Sequence, residues 1–246
     1  MFRYQLLIEY VGTNFRGWQI QKKGSTIQGL IQEKLTKLLK EKIILNGSGR
    51  TDTGVHAIAQ SAHFDCKNKI IDLIKFLKSI NHFLNEDGIA ITKIKKRSSK
   101  FHSRFSAKQR IYKYIIFNQL SIPVIEKKRG WHVRKQLDLD LIKKGAKKLI
   151  GTHDYSVFRA SSCHAKSPIK TINSIKIKSS KNKIEIEFNS QSFLQQQVRS
   201  MVGCLKYLGE KKWDLKMFEK IFKSKKRILC APPAPPEGLF LVRVIY

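Results

Sequence analysis

Apolar residues recur along this chain with two periods, and the switches between them mark its elements. Residues 4–11 alternate as a half-buried strand does, and residues 43–49 read as a second strand. Between them Ile27, Leu30, Ile31, Leu35, Leu38 and Leu39 recur at helical spacing. They follow Ser25-Thr26-Ile27-Gln28, which reads as a capping box with Ser25 at the N-cap and Gln28 three positions on. Burying those six side chains contributes roughly 9 to 18 kcal/mol gross, before chain entropy is subtracted, so the stripe is core. A strand near 58–65, a helix near 69–84 (Ile70, Leu73, Ile74, Leu77, Ile80, Leu84) and a strand near 88–96 follow.

The order so far is strand, helix, strand, strand, helix, strand. The rest of the chain repeats it with a strand at 110–117, a helix at 138–150, strands at 172–179 and 183–190, a helix at 194–209 and a closing strand at 239–245. Two split βαβ units of ferredoxin-like type follow from that order, giving an α+β fold, although no identity is visible between the halves. The boundary falls near residues 98–104, which divides the chain into 1–100 and 101–246. An added helix near 214–223 precedes the last strand, and Ala-Pro-Pro-Ala-Pro-Pro at 231–236 is a stiff extended connector.

Charge narrows the range of partners. The 246 residues carry 49 Lys and Arg against 18 Asp and Glu, a formal net charge of +31, which calls for a polyanion. A general bias toward Lys, Ile and Asn also adds lysines. Arginines cluster too, however, with Arg97, Arg104 and Arg110 falling among Lys95, Lys96, Lys100 and Lys108, which favours nucleic acid over bias alone, and a membrane surface is the weaker polyanion candidate. No apolar run approaches the roughly 20 residues of a spanning helix. Met1-Phe2-Arg3-Tyr4 opens a strand instead of a signal peptide. Cys66, Cys163, Cys204 and Cys230 are far apart and form no C-x-x-C pair, which supports neither a zinc site nor a disulfide framework. The expectation is a reduced, cytoplasmic enzyme without a metal.

Chemistry concentrates in residues 46–57, Asn-Gly-Ser-Gly-Arg-Thr-Asp-Thr-Gly-Val-His-Ala, where Arg50, Asp52 and His56 share a turn with three glycines. Asp52-Thr53-Gly54 matches an aspartic protease loop, but that chemistry needs two aspartates sharing a proton and no second such loop exists. The G-x-x-x-x-G-K-[ST] order of a phosphate-cradling loop is also missing. His56 fits a ligand or a base on residue type alone, yet a lone His in a tight turn is more often structural or a phosphate contact. On the strand after residue 104, period 2 puts Arg110, Tyr112 and Tyr114 on one face, an interleaving suited to stacking on a base and equally to a half-buried sheet face. In residues 193–203, Arg199 sits beside the apolar stripe of Leu194, Val198, Met201 and Val202. An arginine there is costly unless it snorkels to solvent or an acid meets it, and Asp52 is the acid chosen for it.

Taken together these residues resemble the tRNA pseudouridine synthase A family from the first strand to the last residue. The pieces are Gly49-Arg50-Thr51-Asp52-x-Gly54-Val55-His56-Ala57; Tyr10-x-Gly12 with Phe15-x-Gly17-Trp18-Gln19-x-Gln21; Phe101-His102-x-Arg104-Phe105-Ser106-Ala107 with Tyr112-x-Tyr114; Val198-Arg199-x-Met201-Val202-Gly203; and Pro236-Glu237-Gly238-Leu239. Five in the right order are specific. Thr53 stands where the family usually has Ala, and Gln195 and Gln196 where His is frequent.

The resemblance implies two ferredoxin-like halves forming a continuous, mostly antiparallel sheet with helices on one side and an active-site cleft between the halves. It also implies isomerisation of uridine to pseudouridine in the anticodon arm of tRNA, at uridines 38 to 40, by a homodimer without cofactor. In that scheme Asp52 is the nucleophile, Tyr112 stacks on the target uracil and Arg50 helps to turn the base out. Arg199 holds Asp52 charged, and His56 and Arg110 are further substrate contacts.

Overall fold

The computed structural model describes residues 1–246. Along the chain it forms β1 (Phe2–Tyr10), α1 (Ile27–Leu39), β2 (Asn46–Gly47), β3 (His56–Cys66), α2 (Leu73–Leu84), β4 (Ile89–Arg97), β5 (Gln109–Asn118), β6 (Trp131–Val133), α3 (Leu139–Lys148), β7 (Gly151–Asp154), β8 (Ile169–Ser180), β9 (Lys183–Ser190), α4 (Gln197–Gly209), α5 (Leu215–Ser224) and β10 (Leu239–Ile245), with short 3-10 turns between. The fold is α+β. Packing divides it into two compact units, Met1–Lys108 with Phe240–Tyr246, and Gln109–Leu239.

In the first unit β1 runs antiparallel to both β3 and β4. Tyr4, Leu6, Ile8 and Tyr10 point to one face and form a core with Ile27, Ile31 and Leu35 of α1 and Phe76, Ile80 and Leu84 of α2. The other face is polar. There Arg3, Gln5 and Leu7 stand opposite Asp65, His63 and Ser61 of β3 and Arg97, Lys95 and Lys93 of β4. The far edge of β3 is shared, with β2 pairing at Ala62 and His63 and β10 running parallel at His56 and Ala57. Residues 101–108 belong here because they bond here, through Ser103 to His63 and through the Lys108 amide to the Ile245 carbonyl at 2.8 Å.

In the second unit β5, β9, β8 and β7 form an antiparallel array, and β6 lies parallel to β5. Its core brings Ile142 and Ala146 of α3 together with Met201, Val202, Leu205 and Leu208 of α4 and Phe218 and Ile221 of α5. All four cysteines are free thiols. No helix is long and apolar enough to cross a membrane.

Several elements differ from the sequence reading for identifiable reasons. Thr26, not Ser25, caps α1, its hydroxyl accepting the Gly29 amide at 3.3 Å. Gln28 is no capping-box partner; its side chain accepts from the Ile20 amide and donates to the Leu45 carbonyl. The strand expected over 43–49 shrinks to two residues because Ile43 and Leu45 give their amides to Thr36 and Gln32 of α1. α2 starts at Leu73, where Asp72 accepts the Ile74 and Lys75 amides, which leaves Ile74 70% exposed. α4 starts at Gln197, after Gln196 takes a left-handed φ of 60°. The short β6 and β7 carry no periodicity and were not expected.

Candidate active site

The loop that carries Asp52 is fixed by its backbone. Val55 donates its amide to the Asp52 carbonyl at 3.1 Å, closing a four-residue turn, and Gly54 supplies the φ of +79° that the third position of a type II turn requires. One residue earlier, the Thr51 carbonyl accepts the Trp18 amide at 3.0 Å, and the Thr51 hydroxyl meets the Tyr10 phenol at 2.7 Å. The entry to the loop is tied as firmly. Ser48 gives its amide to the Ser61 carbonyl at 2.7 Å and its hydroxyl to Gln60, whose amide group donates to the Gly49 carbonyl. Between these anchors Arg50 is exposed and Asp52 half-exposed, on a backbone held at both ends.

His56 has a different setting from its two neighbours in the motif. It is 1% exposed, its Nδ1 accepts the Gly12 amide at 3.1 Å, and its ring stacks on Phe240 with centroids 4.8 Å apart. A ring that accepts at Nδ1 carries its proton on Nε2 when neutral.

Residues 101–107 clasp the polar face of the same unit. His63 Nδ1 lies 2.6 Å from Ser103 Oγ, and that hydroxyl donates to the Asn46 carbonyl at the start of the loop, also at 2.6 Å. Burial pushes the His63 imidazole down to about 4, helped by the neighbouring His102 and Arg3, so it is neutral at physiological pH. Arg3 holds Asp65 in a bidentate pair at 2.7 and 2.6 Å, which draws that carboxyl below its usual range. Beyond Ser103 the chain turns outward. His102 Nδ1 accepts the Arg104 and Phe105 amides, and the Phe105 ring, 77% exposed, lies between the His102 ring at 4.4 Å and the Arg104 guanidinium at 5.6 Å.

In the second unit, Arg110, Tyr112 and Tyr114 do alternate onto one buried face of β5. Arg110 donates to the Gln191 carbonyl, and Tyr112 sits edge-on to Phe193 with centroids 5.4 Å apart. Tyr114 is wholly buried and donates its hydroxyl to the Pro235 carbonyl at 2.8 Å. Burial lifts its phenol well above the ordinary range, Glu237 adds to the lift and Arg199 opposes it. Arg199, half-buried on α4, is held twice by the proline-rich connector: its Nε donates to the Ala234 carbonyl at 2.8 Å and its own carbonyl accepts the Ala234 amide at 2.9 Å. The connector is therefore a strap over the first turns of α4.

Sequence reasoning assigned no role to Tyr10, Trp18, His63, Ser103 or Phe105. Tyr10, Trp18 and Phe105 lay inside quoted motifs; His63 had no signal, since an imidazole on an alternating strand reads as any other polar residue.

A strongly basic α+β protein of this kind calls for an anionic polymer as its partner. A model of the tRNA pseudouridine synthase family matches residues 6–106 and 146–246. Over 246 residues, the full length of both, the chain is 72% identical to the tRNA pseudouridine synthase A of Pelagibacter ubique. It is 38% identical over 247 residues, again complete in both, to that of Parvibaculum lavamentivorans, and 39% identical over 244 residues to that of Neorickettsia sennetsu, covering 99% of this chain and 100% of the relative. The chain belongs to the tRNA pseudouridine synthase family and is an isomerase.

Proposed function

We propose that this enzyme converts uridine to pseudouridine in the anticodon stem-loop of tRNA, at positions 38, 39 and 40, with Asp52 as nucleophile and without a cofactor. The observation that carries the reading is the fixed loop, which spends five backbone and side-chain anchors on presenting one carboxylate. The reaction breaks the bond from uracil N1 to ribose C1′, turns the base, and joins C5 to C1′. The proton on C5 leaves and N1 gains one, so no electrons and no external group are needed. A positioned carboxylate is among the side chains that form covalent intermediates of this kind.

Arg199 is the charge partner of Asp52 in this scheme. Its support is the strap, which sets the guanidinium plane through Nε and so prepares a charge-assisted hydrogen bond. Arg50, exposed on the same loop, enters the space left by the extruded base and offsets part of the few kcal/mol that extrusion costs. Tyr112, braced by Phe193, stacks on the uracil, and Arg110, braced by Gln191, orients the flanking backbone. His56 is a further substrate contact in this scheme, its ring positioned by the Gly12 amide. Work as a homodimer on one tRNA, and a cytoplasmic location, follow from the resemblance to the family.

The test is incubation of the pure protein with unmodified tRNA in the absence of metal and cofactor, followed by mapping of pseudouridine. Product at positions 38 to 40 is the expected result. Product only outside the anticodon arm, or none until a cofactor is added, overturns the reading.

A further inference from the structure

On the polar face of the first unit, Lys93, Lys95 and Arg97 of β4 line a cavity of about 150 Å3 with Gln5 and Leu7 of β1 and Tyr246. Alternate residues of one strand share a face, so three cations face one concavity, and like charges so placed repel. No Asp or Glu side chain lines it. Lysines on an edge strand also serve to block pairing with other chains, and that alone explains exposed Lys95 and Lys96. It does not explain Arg97. Its Nε donates to Gln5 Oε1 at 2.8 Å, and its guanidinium lies 4.7 Å from the Phe101 ring centroid.

The hydrogen bonds continue inward. Gln5 donates to Ser61 Oγ at 2.8 Å, Tyr246 donates to the same oxygen at 2.7 Å, and the Ser61 carbonyl accepts the Ser48 amide in the Asp52 loop. Arg97 is thus a pre-placed cation tied through the side chains of Gln5 and Ser61, and then through the Ser61 backbone, to the loop that carries Asp52. A planar guanidinium on the same strand face as two lysines suits the tetrahedral oxygens of a phosphate, and a cavity of about 150 Å3 has room for one.

We propose that this cavity binds a backbone phosphate of the tRNA substrate, separately from the residues around Asp52, and sets the register in which a uridine reaches them. The inference rests on the tRNA reading above. Lys93 and Lys95 are exposed, so their replacement does not threaten folding.

The test compares Lys93→Gln/Lys95→Gln with Lys143→Gln/Lys144→Gln, an equal loss of charge on exposed positions of α3. For the first pair kcat/KM is expected to fall about tenfold through KM, and the slope of log affinity against log salt to shrink by about one to two units. Arg97→Lys is expected to weaken binding too, because it loses the bidentate geometry. The α3 pair is expected to stay within about twofold in KM and to leave the slope unchanged. Equal losses from both pairs, or none from the first, overturn the proposal. If the unmutated protein makes no pseudouridine, the enzymatic reading fails by itself, while the salt slope of tRNA binding still reports on the cavity.

Discussion

Gly12 and Val55 meet backbone to backbone: a Cβ on Gly12 would lie 1.9 Å from the Val55 carbonyl oxygen and 2.6 Å from its carbon. The same glycine gives its amide to His56, so one residue fixes the last position of the Asp52 turn and the position after it. Gly12→Ala must push the turn away, and small-to-large changes in such packing cost about 1–3 kcal/mol. The expected outcome is a lower melting temperature and a kcat reduced by about 10²-fold, since misplacing reacting groups by about 1 Å costs that much. Thermal melting and single-turnover kinetics on one preparation check it; unchanged kcat would show that the turn tolerates the displacement.

Arg199 is held by the Ala234 carbonyl at Nε, a nitrogen that lysine lacks. Arg199→Lys therefore keeps the charge and loses the orientation. If the residue orients Asp52, kcat falls by about 10- to 100-fold for Lys and further for Ala, corresponding to about 1.4 to 2.7 kcal/mol, while KM for tRNA changes little. A rise in KM with kcat intact would assign Arg199 to RNA binding instead.

His63 makes stability depend on pH. Burial holds its folded pKa at about 4, below the ordinary imidazole value of 6.5, so the unfolded chain binds the extra proton first. Its contribution is intact above pH 6.5 and is lost as pH falls toward 4. Denaturant midpoints between pH 7.5 and 4.5 are expected to fall for the native protein and to fall less for His63→Gln. Ser103 and Asn46 link this histidine to the loop, so activity is expected to decline over the same window.

Much of this was legible in the chain. Periodicity found α1, α3, α5 and the long strands because each has one face in a core. It overran where side chains capture the backbone: Thr36 and Gln32 take the amides that a strand over 43–49 needed, and no pattern of apolar residues records that. Alternation placed Arg110, Tyr112 and Tyr114 on one face, but could not separate Tyr114, buried against the connector, from a tyrosine with a ligand to meet. Arg50, Asp52 and His56 stood out by residue type. The bond from Gly12 and the stacking on Phe240 show that the histidine has partners within its own unit, far from it along the chain. The role of residues 231–236 as a strap on Arg199 was likewise invisible, because proline predicts an extended segment and not what that segment crosses.

The central claim is that Asp52 is the nucleophile. Asp52→Asn is nearly isosteric and removes the charge from a side chain that is half-exposed, so the loop anchors remain in place. Single-turnover conversion of an unmodified tRNA transcript, measured beside tRNA binding by the same variant, tests the claim most directly. The account predicts no detectable pseudouridine at positions 38 to 40, with binding within a few-fold of the native enzyme. Pseudouridine formed at a native rate by Asp52→Asn would contradict it.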